Sequence, residues 1–244
     1  MVPYIDQEKL KPGTVNALFF HMMGSHGPAY AKRYPEKFNK WGPVCTNSDL
    51  RSCDPKSIRN ADDNSILYTD HVLSSMIDKL KAMKDADTAL IYMSDHGESL
   101  GEKGLFLHGA PYAIAPSEQT HIPMILWVSD GLRSRLGIAK GCLEAGAKKP
   151  VSHDDIWSTV LALTQVKSST YNAKQDIRLR AGSRRSKQKP THKTLSSPGS
   201  RPRGLLFAGH NYEIFKAPSQ NRPRQDPPHG LGPRIRLALY GYFV

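Results

Sequence analysis

Apolar residues gather in short runs through the first 177 residues of this 244-residue chain and thin out after them. "VNALFFHMMG" (15–24), "TALIYM" (88–93) and "IPMILWV" (122–128) are runs of strand length, rich in apolar and β-branched side chains, and they predict three buried strands. Residues 57–84 place Ile58, Ile66, Leu73, Met76, Ile77, Leu80 and Met83 at helical spacing, with Asp and Asn on the outer face. That pattern predicts an amphipathic helix packed on a sheet. "SHDDIWSTVLALTQV" (152–166) begins with Ser and Asp cap candidates and continues as an apolar helix. The β-α-β order predicts a parallel sheet, so residues 1–177 read as an α/β domain.

Beyond Ile177 the texture changes. "RLRAGSRRSKQKPTHKTLSSPGSRPRG" has no apolar periodicity, and residues 178–244 hold 8 Pro and 7 Gly. Such a segment buries too little apolar surface to offset its ordering entropy, so disorder is expected. Charge divides at the same place: residues 1–177 carry 20 Lys/Arg and 20 Asp/Glu, and residues 178–244 carry 14 and 2. The whole net charge of +12 therefore belongs to the tail, and the high pI says nothing about the domain. A basic arm for nucleic acid or lipid phosphates and a frameshifted continuation are the two readings of this segment. No apolar run reaches the roughly 20 residues of a membrane span, and the N-terminus lacks the marks of a signal peptide. As written, the chain is expected in the cytoplasm unless a segment precedes it.

The chemistry concentrates in "SDHGESLGEKGLFLHG" (94–109), where Asp95, His96, Glu98, Glu102 and His108 surround four glycines at the end of the "TALIYM" run. The carboxyl ends of strands are where ligands gather in open α/β sheets. Asp95 and His96 offer a carboxylate oxygen and an imidazole nitrogen, both suited to zinc. His108 closes the same loop, and His21 and His26 flank the end of the first strand, which a parallel sheet places beside the second. Three loops then converge at one edge. Glu98 and Glu102 read as groups that hold backbone amides or orient a ligand histidine. His71 reads as exposed or structural, His121 as a strand-edge polar group and His153 as helix capping. Cys45 and Cys53 either close a short loop as a disulfide or remain two thiols, and Cys142 has no nearby partner.

"HMMGSHGPAYAKRYPEKF", "PVCTNSDLRSC", "DDNSILYTDHVL", "YMSDHGESLGEKGLFLHGAPYAIAP" and "IPMILW" together resemble the soluble catalytic domain of lipid A phosphoethanolamine transferases. That family includes the mobile colistin-resistance enzymes and lies in the alkaline phosphatase/sulfatase superfamily. The resemblance runs from about residue 14 to residue 177. It implies a partial sulfatase-like domain over residues 1–177, a mixed sheet flanked by helices, followed by the basic tail. It also implies that Asp95 and His96 are zinc ligands, and that His26 and His108, with His21 nearby, line the substrate pocket or hold a second zinc. Cys45 and Cys53 are implied to form a disulfide. In such enzymes a zinc-activated threonine takes phosphoethanolamine from phosphatidylethanolamine and passes it to lipid A. The family implies an inner-membrane anchor with the catalytic domain in the periplasm.

The departures shape the expectation for this chain. Thr14 and Thr46 are not in the family's nucleophile context, so no catalytic nucleophile is assigned, and the family's glutamate ligand is not matched either. Asp62 stands before Asp63-Asn64 where the family usually has Tyr. The chain alone is expected to bind zinc weakly, to lack transferase activity and to be poorly soluble. The rival readings are a sulfatase or phosphatase of the same superfamily and a non-enzymatic basic protein. Nucleic acid is not the expected partner.

Overall fold

The computed structural model describes Pro3, Ile5, residues 15–180, 203–205 and 213–215. Its centre is an antiparallel pair, β2 (Ala89–Met93) against β5 (Met124–Val128), with Leu90 opposite Trp127 and Tyr92 opposite Ile125. All five residues of β5 are buried, and their alternation divides them between two apolar layers. Met124, Leu126 and Val128 face Leu132, Leu143, Leu163 and Ile177, whereas Ile125 and Trp127 face Leu73, Met76, Ile77 and Leu80. The sheet is thus covered on both sides by helices, as in other three-layer α/β domains.

The long helix α1 (Pro55–Ala82) supplies one cover. It starts two residues before the predicted 57 because Asp54 caps it, accepting from the Lys56 and Ser57 N–H groups at 3.0 Å, with Pro55 at the first helical position. The other cover comes from the short helices α2 (Asp130–Arg135) and α3 (Cys142–Gly146) and the apolar helix α4 (Asp154–Thr164). No described helix is long and apolar enough to cross a membrane.

Two expectations about the sheet change. The predicted strand over 15–24 is β1 only over Val15–Ala17, and it pairs in parallel with β6 (Arg203–Leu205), not with β2. Leu18, Phe20 and Met22 still pack against the α1 layer while Phe19 is 81% exposed, so the alternation persists beyond the ladder. The strand that pairs with β2 is β5, and it runs antiparallel to it; β7 (Glu213–Phe215) adds to the far side of β5. A strand buried on both faces needs a continuous apolar run whichever way its neighbour points, so the run alone does not set direction. The predicted disorder of residues 178–244 falls outside the described residues except for 178–180, β6 and β7.

The segment between β1 and α1 is held down by two devices. Cys45 and Cys53 form a disulfide with Cα atoms 5.9 Å apart. Asn64, fully buried on α1, accepts from the Lys40 and Trp41 N–H groups at 2.9 and 3.0 Å and donates to Asn39 Oδ1 and the Trp41 carbonyl at 3.0 and 2.9 Å. One side chain therefore satisfies a loop that has no ladder of its own. Asn64→Ala leaves two backbone donors without an acceptor and is expected to cost about 3 kcal/mol in urea unfolding; a loss of under about 0.5 kcal/mol contradicts this role.

Candidate metal centre

Three segments meet beyond the carboxyl end of β2: the turn Ser94–Gly97, the loop around His26, and the loop that ends in His108. The turn is pinned from several sides. Ser94 donates through Oγ to the His96 carbonyl at 2.7 Å, and the Gly97 N–H donates to the Gln119 carbonyl at 3.0 Å. His153 Nε2 lies 2.7 Å from the Ser94 carbonyl, which can only accept, so that nitrogen carries the proton. His153 does occupy the N-cap position of α4, but its side chain makes no cap bond; it ties the helix to the turn instead.

The loop beyond the turn folds as a tight hairpin, β3 (Ser99–Leu100) against β4 (Phe106–Leu107). Glu102 accepts the Leu100 N–H at 2.6 Å and so holds the hairpin's backbone. Gln119, itself buried, donates to Ser99 Oγ at 2.9 Å and accepts the Ala110 N–H at 3.1 Å, bracing both arms. Leu107 adopts φ 62°, a left-handed conformation that β-carbon sterics disfavour, immediately before His108.

Glu98 is the hub. Its carboxylate is fully buried, yet it accepts the Gly27 N–H at 3.2 Å, the Tyr30 hydroxyl, and His108 Nδ1 at 3.1 Å. Gly27 has to be glycine here, because a Cβ would lie 2.6 Å from both Glu98 Oε2 and Leu107 Cδ2. His26, Glu98 and His108 bring potential ligand atoms within 4.8 Å of one another.

The ring nitrogens follow one rule. His26 Nδ1 lies 2.7 Å from the Gly27 carbonyl and His96 Nδ1 lies 3.2 Å from the Gly97 carbonyl. A carbonyl only accepts, so both Nδ1 atoms are protonated and both Nε2 lone pairs are free. His108 Nδ1 faces the Glu98 carboxylate in the same way. Ring centroids are 3.7 Å apart for His96 and His108, 5.2 Å for His26 and His108, and 6.3 Å for His26 and His96. Burial, then the neighbouring His108, pulls the His96 pKa down to about 4, which keeps the ring neutral at physiological pH. Neutral imidazoles with their Nδ1 atoms tied back and Nε2 atoms free suit a transition-metal ion. His96 could serve an ion at the strand end together with the adjacent Asp95, and His26 and His108 could line the phosphate side or hold a second ion, with Glu98 as the carboxylate that orients His108.

Asp95 is exposed at the end of β2 and lies outside the His26–Glu98–His108 group, though its charge, after burial, helps push the Tyr92 phenol upward. His21 is exposed, and the structure does not bring it into the group. His71 is exposed on α1, with its ring centroid 4.9 Å from that of Phe38. Cys142 is a buried free thiol. Tyr30 and Gln119 are the residues that motif reading does not single out; both contact the loop from distant positions in the chain. Asp62 is the other surprise. It is buried, and burial first, then the carboxylates of Asp63, Glu98 and Glu102, raises its pKa well above the usual range.

A family model described as sulfatase matches residues 1–166. Phosphoethanolamine transferase EptA of Salmonella typhimurium is 42% identical over 162 residues, covering 66% of this chain and 30% of that protein. Phosphatidylethanolamine transferase Mcr-1 of Escherichia coli is 41% identical over 150 residues, covering 61% of this chain and 26% of that protein. The chain thus spans under a third of the length of these curated relatives. The soluble domain of lipooligosaccharide phosphoethanolamine transferase A from Neisseria meningitidis superposes with a TM-score of 0.62 at 45% identity, over 64% of this chain and 48% of that one.

Two outcomes test the site. Glu98→Gln should weaken zinc affinity by about 10- to 100-fold in competition with a chromogenic chelator, and unchanged affinity contradicts the hub. For Asp62, a folded-state pKa above the unfolded one means that stability is lost as pH rises through the ordinary carboxylate range toward the raised value. Asp62→Asn should therefore raise stability at pH 7 by on the order of 1 kcal/mol and leave it unchanged near pH 3; equal stability at both pH values contradicts the burial penalty.

Proposed function

This chain belongs to the sulfatase family, and within it we propose that the chain forms part of the catalytic domain of a zinc-dependent phosphoethanolamine transferase. The donor is phosphatidylethanolamine and the acceptor a phosphate of lipid A, the modification that weakens binding of cationic peptides such as colistin. What carries the reading is the set of imidazoles with free Nε2 atoms around Glu98, in a chain more than 40% identical to phosphoethanolamine transferases over this region.

Asp95 and His96 are the proposed zinc ligands at the strand end. His26 and His108, with His21 nearby, line the phosphate side of the pocket or hold a second ion. Bound zinc lowers a nucleophile's pKa and offsets charge on the transferring phosphoryl group. This chain's own contribution is positional. Glu98 fixes the His108 ring, the Gly27 carbonyl fixes the His26 ring, and the Gly97 carbonyl fixes the His96 ring, so a phosphoryl oxygen meets preorganised groups. The Cys45–Cys53 disulfide supports an oxidising compartment, which fits a catalytic domain facing the periplasm from the inner membrane.

The test uses the head group alone. Titrated into the zinc-loaded chain and followed by phosphorus NMR, phosphoethanolamine should bind at least about tenfold tighter than inorganic sulfate, a difference of about 1.4 kcal/mol. His26→Ala and His108→Ala should each reduce that binding. Sulfate binding as tightly as phosphoethanolamine would instead favour a sulfate-ester hydrolase of the same family.

A further inference from the structure

Gln119, only 7% exposed, belongs to the short helical turn Ser117–Thr120 ahead of β5, and its main chain and side chain serve different halves of the site. Its carbonyl accepts the Gly97 N–H at 3.0 Å. The Gly97 carbonyl in turn meets His96 Nδ1, so this bond helps to place the strand-end imidazole. Farther along the same segment, the Pro123 carbonyl accepts the Ser94 N–H at 3.3 Å and holds the same turn. Both are main-chain bonds, and a change of the Gln119 side chain removes neither.

The side chain works on the other half. The Ala110 N–H can only donate, so Oε1 faces it at 3.1 Å, and Nε2 is left to donate to Ser99 Oγ at 2.9 Å. The amide thereby spans the hairpin, from β3 on one arm to the chain just beyond His108 on the other. His108 needs such an outside hold. Leu107 before it has φ 62° and Gly109 after it φ 97°, both in the left-handed range. A conformation of the kind Leu107 adopts persists only where its surroundings over-determine it. With Leu107 in the ordinary range of φ, the chain would leave in another direction and carry His108 with it. Glu98 fixes the nitrogen of the ring, and the Gln119 amide fixes the backbone that carries the ring.

We infer that Gln119 is a positioning residue for His108: its side chain sets where that imidazole stands on the phosphate side, and it leaves the strand-end turn of Asp95 and His96 to main-chain bonds. The inference rests on the proposed placement of the phosphoethanolamine head group beside His26 and His108.

The test is a double-mutant cycle on head-group binding, followed by phosphorus NMR on the full chain at saturating zinc. Gln119→Met keeps the length of the side chain and removes both polar ends. It should weaken phosphoethanolamine binding by about three- to tenfold, and in the His108→Ala background by less than about twofold, because it acts through the ring already removed. Ser99→Ala takes away the far end of one bond and should show a smaller loss with the same dependence on His108. Thr159→Val removes the acceptor of the Ile177 N–H, 3.1 Å away in the buried layer against α4, and should lower the melting temperature without weakening the head group. Normal binding in Gln119→Met beside a weakened His108→Ala would overturn the inference alone. So would a loss of equal size with and without His108, or an equal loss in Thr159→Val, which would reduce the effect to general loosening. His108→Ala without effect would overturn the inference together with the proposed placement of the head group. Should Gln119→Met fail to fold, the Ser99→Ala cycle decides by the same outcomes.

Discussion

A carboxylate taken fully out of water costs several kcal/mol unless donors replace its hydration, and Glu98 is such a carboxylate. Its three partners come from three places in the chain: the backbone at Gly27, the hydroxyl of Tyr30 and the ring of His108. Satisfying that one group therefore draws the loop after β1 onto the hairpin after β2. The histidines of both loops are carried along. The closeness of the His26, His96 and His108 rings follows from the need to pair one buried charge.

The rest of the domain holds those loops at the right height. The alternating side chains of β5 split the core into two layers, and α1 and α4 close them. Asn64 fastens the segment 39–41 to α1, the disulfide closes the segment just after it, and the His153 bond to the Ser94 carbonyl ties α4 to the site turn. Each device satisfies backbone groups in loops that lack ladders, which is why so few of them are apolar contacts. Asp62 runs against this economy. It sits buried near Glu98 and Glu102, and its carboxyl is pushed toward the protonated form.

Much of this was legible in the residues. The helical spacing of Leu73, Met76, Ile77 and Leu80 located α1, and the all-apolar "MILWV" located β5. The Gly-rich loop announced itself because Asp95, His96, Glu98 and His108 lie within one short segment. The reading of Glu98 and Glu102 as holders of amides and histidines matches their observed bonds. Strand direction was not legible, since β2 and β5 carry the same apolar signal in either orientation. Tyr30 and Gln119 were not legible because their roles depend on contacts 68 and 20 residues away in sequence. His153 looked like a cap because position was visible and side-chain direction was not.

The central claim is that the fold tethers His26, His96 and His108 through Nδ1 and leaves Nε2 free for a metal ion. X-ray absorption at the zinc edge on the zinc-loaded chain tests it most directly. The account predicts a nearest shell containing imidazole nitrogens at about 2.0–2.1 Å, with the outer-shell scattering of at least two ordered rings. A shell of oxygen alone, or one with sulfur at about 2.3 Å, would contradict it.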